Sequence, residues 1–396
     1  MMFESVPKRW LLGLLMSFGV LINYIDRVNI SLALVPMSAD LDLTPVEQGL
    51  VLSAFSWGYV AFMAAGGFLV DRLGPLKVSA SAAGAWSIAT VCSGAAWGFP
   101  SLIASRIAVG VGEAPIFPAN ARLVRDEFPL EERGRATALF DAGSYVGTAV
   151  SAPIVVFAIN LFGWRASFFV SALLGLLWVV AWVRFGPRLC RESKWRQQRR
   201  GSVRDAALLL RSRKVLGASY GFFAYNYAKS FFLTWFPTYL VSERGFSFLA
   251  IGIVGMVPAI SAVVGELISG LWTDRLIRAG RSVTLARKLP LCFGLALGGS
   301  IAFTEALSSQ WAVLAILSFA FAATIAASPG IWAIPGDIAP SPEYVGTIGG
   351  IQNTFSNVAG IVAPVITGLI VGWTGSFSPA LVVSGAIAAS GAASYW

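Results

Sequence analysis

Four ionisable residues lie deep inside two apolar stretches of the sequence, where charges are rare. Asp26 and Arg27 interrupt the first stretch, and Arg106 and Glu113 occur in the fourth. A charge near the middle of a bilayer costs roughly 3 kcal/mol on insertion scales, so such residues tend to face a protein interior or a wet cavity. Guanidinium groups bind carboxylates, and carboxylic acids can carry protons. The four residues therefore indicate a site for an organic anion that is linked to protons.

The spacing of these residues predicts that they meet. Arg106 and Glu113 are seven residues apart, and two helical turns bring them to nearly the same face of a helix. The first stretch runs in the opposite direction and brings Asp26 and Arg27 to a similar depth. We therefore expect one polar core that contains all four side chains. The alternative is a fixed ion-pair network that only locks helices together, but buried charges are an expensive way to add stability.

Charge balance gives this core a mechanism. While both carboxylates are ionised, they neutralise Arg27 and Arg106. Protonation of Asp26 and Glu113 frees the two cations for a substrate carboxylate, so proton and anion bind with positive coupling, as symport requires. Our hypothesis is that Glu113 links the substrate to the proton and that Asp26 controls the opening of the protein.

Composition places the chain in a membrane. Of its 396 residues, 56% are hydrophobic and 12% are charged, and the mean hydropathy is +0.72, whereas soluble domains contain about 25% charged residues. The absence of His leaves carboxylates or Lys to handle protons near neutral pH. The three Cys are far apart in the sequence and predict neither a disulfide framework nor a metal site. The sequence shows no nucleophile–base pair and no phosphate-binding glycine loop, which argues against an enzyme and predicts no cofactor.

The elements that must position the core are membrane-spanning helices. Each needs about 20 apolar residues, and the sequence predicts an all-α integral membrane protein with twelve of them. In the fourth, Pro115 and Pro118 predict a bend directly after Glu113. The last is short and ends at Trp396, so we expect the chain to be truncated within or just after its final helix. The predicted spans lie near 10–36, 47–70, 77–97, 101–122, 135–158, 164–185, 215–241, 247–273, 288–306, 310–335, 345–371 and 379–396.

The basic residues predict the orientation of these spans. Of the 29 Lys and Arg residues, 24 fall in segments on one side, and only Arg165 and Arg244 fall on the other. Because cationic loops remain in the cytoplasm, we expect a multi-pass protein of the inner membrane with a cytoplasmic N-terminus. This distribution explains the net charge of +9 without nucleic acid. The basic segment 186–214 predicts a cytoplasmic linker between two six-helix halves, 1–185 and 215–396.

A short motif repeats in the two halves. GFLVDRLG follows the second span and GLWTDRLI follows the eighth, with an offset of 203 residues. We interpret the glycines as points of close helix approach, each Asp as a cap for a neighbouring helix, and each Arg as a marker of the inner interface. Duplicated halves are typical of transporters, so these segments are predicted gating loops. Their residues are Gly67, Asp71, Arg72, Gly270, Asp274 and Arg275.

Twelve helices, a long central loop and a duplicated loop motif resemble the major facilitator superfamily. Six segments further resemble its anion:cation symporter family, which includes carriers of galactonate, glucarate and hexuronates. The resemblance covers essentially the whole chain and implies a monomeric transporter of small organic anions and protons in the lipid bilayer. The segments are LINYIDRVNISLA, RIAVGVGEAPIFPAN, FPLEER, GWRASF, FLTWFPTYL and GGIQNTFSNVAGI.

The resemblance also implies roles for individual residues. The proton-carrying pair of that family falls on Asp26 and Glu113, and its substrate-binding cations fall on Arg27 and Arg106. Its aromatic residue in the second helix matches Tyr59. Carriers of that family usually have a polar side chain in the middle of the fifth helix. Two residues of this chain, Asp141 and Ser144, lie in that region, so the resemblance does not assign this contact to one of them.

Further substrate contacts are expected from polar and aromatic residues within the spans. The resemblance places an amide that contacts substrate hydroxyls at Asn353. For each of the others, an ordinary helix–helix hydrogen bond is the alternative. The complete predicted set beyond the core and Tyr59 is Asn23, Lys229, Trp332, Gln352, Asn353 and Asn357.

Lys229 is the least explained charge. It precedes Asp274 by 45 residues, as Asp26 precedes Asp71, so the repeat pairs Lys229 with Asp26. It is interpreted as a third cation for a second carboxylate or a phosphate, as a partner for Glu266, or as a Lys whose head reaches the membrane interface.

These observations leave several functions open. A proton-coupled importer of a sugar acid or related hydroxy-carboxylate, working by alternating access, fits them best. An exchanger of phosphate esters or dicarboxylates is the second reading, and a membrane solute sensor is a third. A drug exporter is disfavoured because the fifth span lacks the Gly-Pro pair of such exporters.

Overall fold

The computed structural model describes residues 7–129, 132–190, 209–341 and 344–396. Within those ranges the chain is helical, with no β-strand. A 3-10 helix, Gly299–Ala306, continues α12. The α-helices are α1 Lys8–Asp40, α2 Pro45–Leu73, α3 Pro75–Gly94, α4 Phe99–Glu113, α5 Ile116–Glu127, α6 Arg133–Phe162, α7 Trp164–Leu189, α8 Arg213–Thr234, α9 Phe236–Ser242, α10 Phe248–Val254, α11 Met256–Arg278, α12 Val283–Gly298, α13 Gln310–Ala326, α14 Ser328–Ile338, α15 Val345–Thr374 and α16 Ser378–Tyr395.

These helices follow the twelve predicted spans. Four spans contain two helices each, namely α4–α5, α8–α9, α10–α11 and α13–α14. A proline lies at or near the start of each second helix, at Pro115, Pro237, Pro258 and Pro329, where its missing N–H costs no helical hydrogen bond. By length and apolar composition, nine of the helical segments in the described ranges qualify to cross a membrane.

Two of the predicted spans were too short. The sixth span was predicted to end at residue 185, but α7 continues to Leu189. The ninth was predicted to begin at 288, but α12 begins at Val283 after a Ser282 cap that accepts a hydrogen bond from the Leu285 amide. Most of the predicted basic linker, residues 191–208, lies outside the described residues.

The chain divides into two compact units. The first contains residues 1–43 and 54–198, and the second contains 44–53 and 199–396. In the first unit, α1 packs along α6 and α7, and α3 packs against α4 and α7. Stacked indoles fill the contact between α3 and α7, with ring centroids 6.3 Å apart for Trp86 and Trp178 and 4.8 Å apart for Trp178 and Trp182.

The second unit is built in a similar way from other residues. Its α8 packs against α15 and α16, and α11 packs against α13. The Trp235 indole, after the end of α8, donates a 3.1 Å hydrogen bond to the backbone carbonyl of Pro364 in α15. Each unit therefore has its own helical core.

Candidate functional site

Two glycines bring α2 and α4 into backbone contact beside the predicted core. A Cβ on Gly110 would lie 2.0 Å from the Phe55 carbonyl oxygen, and one on Gly58 would lie 2.1 Å from the Ile107 carbonyl oxygen. Only glycine fits at such an approach. As a result, Phe55 and Tyr59 of α2 lie next to the charged face of α4.

Arg27 and Glu113 form the central ion pair of the site. Arg27 Nε donates to Glu113 Oε2 at 2.8 Å, which joins α1 to α4. The Glu113 side chain is fully buried, whereas 19% of the Arg27 side chain is exposed. Charge-assisted hydrogen bonds of this kind are roughly twice as strong as neutral ones. Arg27 is therefore held in place by the carboxylate that was predicted to carry a proton.

Aromatic rings surround the Arg27 guanidinium. Its Cζ atom lies 5.0 Å from the ring centre of Tyr24, 4.7 Å from that of Phe55 and 4.9 Å from that of Tyr59. Arg106 Cζ lies 5.6 Å from the Phe55 ring. Ring faces attract cations at these distances, so the aromatic residues hold both guanidinium groups without neutralising their charge.

Several buried polar atoms of the site have no hydrogen-bond partner among the described residues. They include Arg106 Nε and Nη1, Arg27 Nη2, Glu113 Oε1, and both side-chain polar atoms of Asn23. Buried polar groups are nearly always bonded, and Arg106 is only 1% exposed. The guanidinium N–H groups are thus donors that a carboxylate ligand can use.

Asp26 of α1 completes the cluster. It is 1% exposed and interacts electrostatically with Glu113 and Arg106 of α4, while Ser171 of α7 and Trp86 of α3 are its polar neighbours. The predicted meeting of the four charges is therefore confirmed. Arg106 and Glu113 also interact, as their spacing predicted, but the direct bond to Glu113 comes from Arg27.

The predicted break in the fourth span is also present. The α4 helix ends at Glu113, and α5 begins at Ile116 with Pro115 as its N-cap. Glu113 consequently lies at a helix end, next to a backbone interruption. Separate movement of the lower half of this span remains a prediction.

The predicted amides of the second unit bond to helix backbones. Gln352 Nε2 donates to the Ala218 carbonyl at 3.3 Å, which joins α15 to α8. Asn357 Nδ2 lies 2.8 Å from the Asn353 carbonyl and 3.1 Å from Asn353 Oδ1. These bonds give Gln352 and Asn357 a structural role. Substrate contacts by these amides stay a prediction.

Two other residues of the second unit that were predicted to contact substrate lie against aromatic rings. Lys229 Nζ is 6.0 Å from the ring centre of Tyr225. Trp332 is 59% exposed and packs edge-on against Phe222, with ring centroids 5.2 Å apart. An exposed indole can contact either a ligand or lipid.

The structure corrects our reading of the repeated loop motif. A Cβ on Gly67 or Gly270 would have no described atom within 4 Å, so neither glycine marks a close helix contact. The Asp71 cap of a neighbouring helix stays a prediction. Asp71 Oδ1 forms a 3.1 Å ion pair with Arg122 Nη1 of α5.

The other motif residues lie at the surface. Arg72, Asp274 and Arg275 are exposed. Arg122 also bonds Asp126 Oδ2 through its Nε atom at 2.7 Å. The first-unit motif, at the end of α2, is thus tied to α5 through an arginine that the sequence did not single out. The gating role of the motif stays a prediction.

Comparison with known proteins places this architecture in a family. Residues 16–364 match the sequence profile of the major facilitator superfamily. The chain belongs to the major facilitator superfamily. This assignment accounts for the helical architecture and for the pair of units, and it makes the chain a multi-pass membrane transporter.

Relatives within the superfamily narrow the resemblance. The chain is 35% identical to a protein of Bacillus subtilis named "Probable galactarate/D-glucarate transporter", covering 99% of this chain and 92% of that protein. It is 33% identical to the D-galactonate transporter of Escherichia coli O6:H1, with 98% and 95% covered. It is also 33% identical to the hexuronate transporter of Bacillus subtilis, with 93% and 89% covered. The resemblance to sugar-acid carriers noted in the sequence is confirmed.

Solved structures support the superfamily fold. A bacterial homologue of the human lysosomal transporter Spinster matches with a TM-score of 0.82 over 99% of this chain and 97% of that one. The sequences are 17% identical, so this likeness concerns the fold alone.

Proposed function

We propose that this protein is a proton-coupled carrier that takes up a sugar-acid anion by alternating access. The observation that carries the proposal is the buried Arg27–Glu113 ion pair beside Arg106, whose Nε and Nη1 atoms have no bond within the described part of the chain. The named substrates of its relatives, which are galactarate, D-glucarate and D-galactonate, supply the substrate class.

Charge balance supports the coupling. Arg27 and Arg106 carry two positive charges in a buried region, and Glu113 and Asp26 balance them when ionised. A proton on Glu113 weakens its bond to Arg27, which can then bind a substrate carboxylate together with Arg106. Because proton and substrate each favour the binding of the other, their transport is coupled.

Other residues would contribute to selectivity. Hydroxyl groups of a sugar acid would meet Asn23 and Tyr59 in the first unit. Amides at Gln352, Asn353 and Asn357 would serve the same purpose in the second unit, with Trp332 against the carbon skeleton.

The repeated motif and the placement of the protein in the membrane are part of the same proposal. Asp71 and Arg72, with Asp274 and Arg275, would control conformational change at the inner ends of the spans, next to Gly67 and Gly270. We place the protein in the inner membrane as a monomer with a cytoplasmic N-terminus, in keeping with its basic segments.

A dianionic substrate is the favoured variant of this proposal. Galactarate and D-glucarate, the substrates named for one relative, are dicarboxylates. Lys229 is the proposed cation for the second acidic group. The exchange of such dianions without protons is the competing mechanism.

Ligand-induced stabilisation tests the substrate class. A ligand that binds only the folded protein raises its melting temperature. We expect D-glucarate or D-galactonate to stabilise the purified protein more at acidic than at neutral pH, and D-glucose to have no effect. Equal stabilisation at both pH values would remove the proton linkage, and no stabilisation by any sugar acid would remove the substrate class.

A further inference from the structure

One aromatic ring of α2 lies against both cations of the candidate site. The Phe55 ring centre is 4.7 Å from Arg27 Cζ of α1 and 5.6 Å from Arg106 Cζ of α4. Both distances fall within the range of about 6 Å over which a ring face attracts a cation. Phe55 is therefore a ring that the two guanidinium groups share, although they come from different helices.

The ion pair of the site does not join the two cations in this way. Glu113 Oε2 accepts a 2.8 Å bond from Arg27 Nε, whereas Arg106 Nε and Nη1 have no hydrogen-bond partner among the described residues. Two neighbouring guanidinium groups repel each other through their like charges. A ring face attracts both cations and carries no net charge, so it opposes this repulsion while the N–H groups stay available to a carboxylate.

The position of the Phe55 ring is fixed from two sides. Its backbone lies at the contact between α2 and α4, where a Cβ on Gly110 would be 2.0 Å from the Phe55 carbonyl oxygen. Its ring stacks on that of Tyr59, one turn further along α2, with ring centroids 5.5 Å apart and 28° between the ring planes. A ring that is held both by its backbone and by a neighbouring ring can fix the side chains that lie on it.

We propose that Phe55 is a positioning residue that holds Arg27 and Arg106 side by side as one anion-binding pair. The proposal rests on the proposed function, because it takes these two cations to bind a substrate carboxylate. The ring orders both cations before the substrate arrives, so less side-chain freedom is lost when it binds. A weaker attraction between the ring and the cations should therefore lower the affinity for a sugar acid.

Fluorinated phenylalanines test this role, because they change the electrostatics of the ring and nearly keep its shape. Each fluorine withdraws electrons from the ring and weakens the attraction of its face for a cation. Phe55 in the full chain is replaced by mono-, di- and trifluorophenylalanine, and the Kd for D-glucarate is measured by titration calorimetry. We expect Kd to rise with each added fluorine, by roughly twofold to thirtyfold over the series.

The matched control is Phe140 of α6, whose ring packs edge-on against that of Phe117 at 6.1 Å. The same fluorinated side chains at Phe140 should leave Kd unchanged. Phe55→Leu, which has no ring, should bind at least as weakly as the trifluoro variant, and if it does not fold, the fluorinated variants decide. A constant Kd across the Phe55 series would overturn the inference, while D-glucarate binding by the wild type would leave the proposed substrate class intact.

The melting temperature of the ligand-free variants gives a second readout. It should fall progressively with fluorination at Phe55 and should not fall in this way at Phe140. If the wild type binds neither D-glucarate nor D-galactonate, the proposed substrate class fails, and the melting temperatures still decide whether Phe55 holds the two cations. Equal changes in melting temperature at the two positions would overturn the inference.

Discussion

Glu113 accepts a 2.8 Å bond from Arg27 through Oε2, while its Oε1 atom has no partner among the residues that the structure describes. The carboxylate is fully buried at the end of α4. One oxygen therefore holds Arg27, the proposed substrate-binding cation, and the other is available to a proton in the proposed coupling. This arrangement allows one residue to link the two ligands.

Replacement of Glu113 by Gln should uncouple transport. The amide imitates the protonated acid permanently, so D-glucarate should still exchange across the membrane but no longer accumulate under a proton gradient. Glu132→Gln is the control, since Glu132 pairs with Arg9 outside the site and its loss should leave accumulation unchanged. Concentrative uptake by Glu113→Gln would show that the coupling lies elsewhere.

Arg106 should determine substrate affinity. In Arg106→Lys the charge remains but the planar fork of donors is lost, and KM for D-glucarate should rise by about tenfold to a hundredfold, in line with hydrogen bonds to charged groups. Initial uptake rates across substrate concentrations measure this. The control variant Arg9→Lys should keep the wild-type KM. A KM within twofold of the wild type would exclude direct binding by Arg106.

Two glycines should differ sharply in their tolerance of alanine. Gly110→Ala places a methyl group 2.0 Å from the Phe55 carbonyl oxygen, and such overpacking costs about 1–3 kcal/mol. Thermal unfolding in detergent should show a clear loss of stability. Gly67→Ala meets open space and should be neutral or slightly stabilising, because alanine favours helix. Equal changes in stability in the two variants would contradict the close contact between α2 and α4.

The Glu132 ion pair should respond to pH outside the membrane core. Its hydrogen bond to Arg9 holds the pKa of Glu132 below its usual range. A lowered pKa in the folded state contributes stability above the unfolded pKa, and that stability is lost as the pH falls through the folded pKa. The melting temperatures of wild type and Glu132→Gln should therefore differ slightly at neutral pH and converge in acid. A gap that persists in acid would contradict the pairing.

The sequence predicted the spans and the four core charges well, because helix length and periodicity decide which residues are buried on a common face. Periodicity does not decide which side chain of another helix faces a charge, so the choice of Arg27 as the partner of Glu113 needed the structure. The aromatic rings of Tyr24 and Phe55 were missed for the same reason. Gly67 was misread because the motif gave no information about neighbouring helices.

Proton movement that accompanies substrate entry tests the central claim most directly. Proteoliposomes containing a pH-sensitive dye are given D-glucarate or D-galactonate outside, with no initial pH difference and with the membrane potential clamped. We predict that sugar-acid entry acidifies the interior in the wild type, and that neither Glu113→Gln nor D-glucose produces this signal. Substrate entry in the wild type without any proton movement would contradict the account.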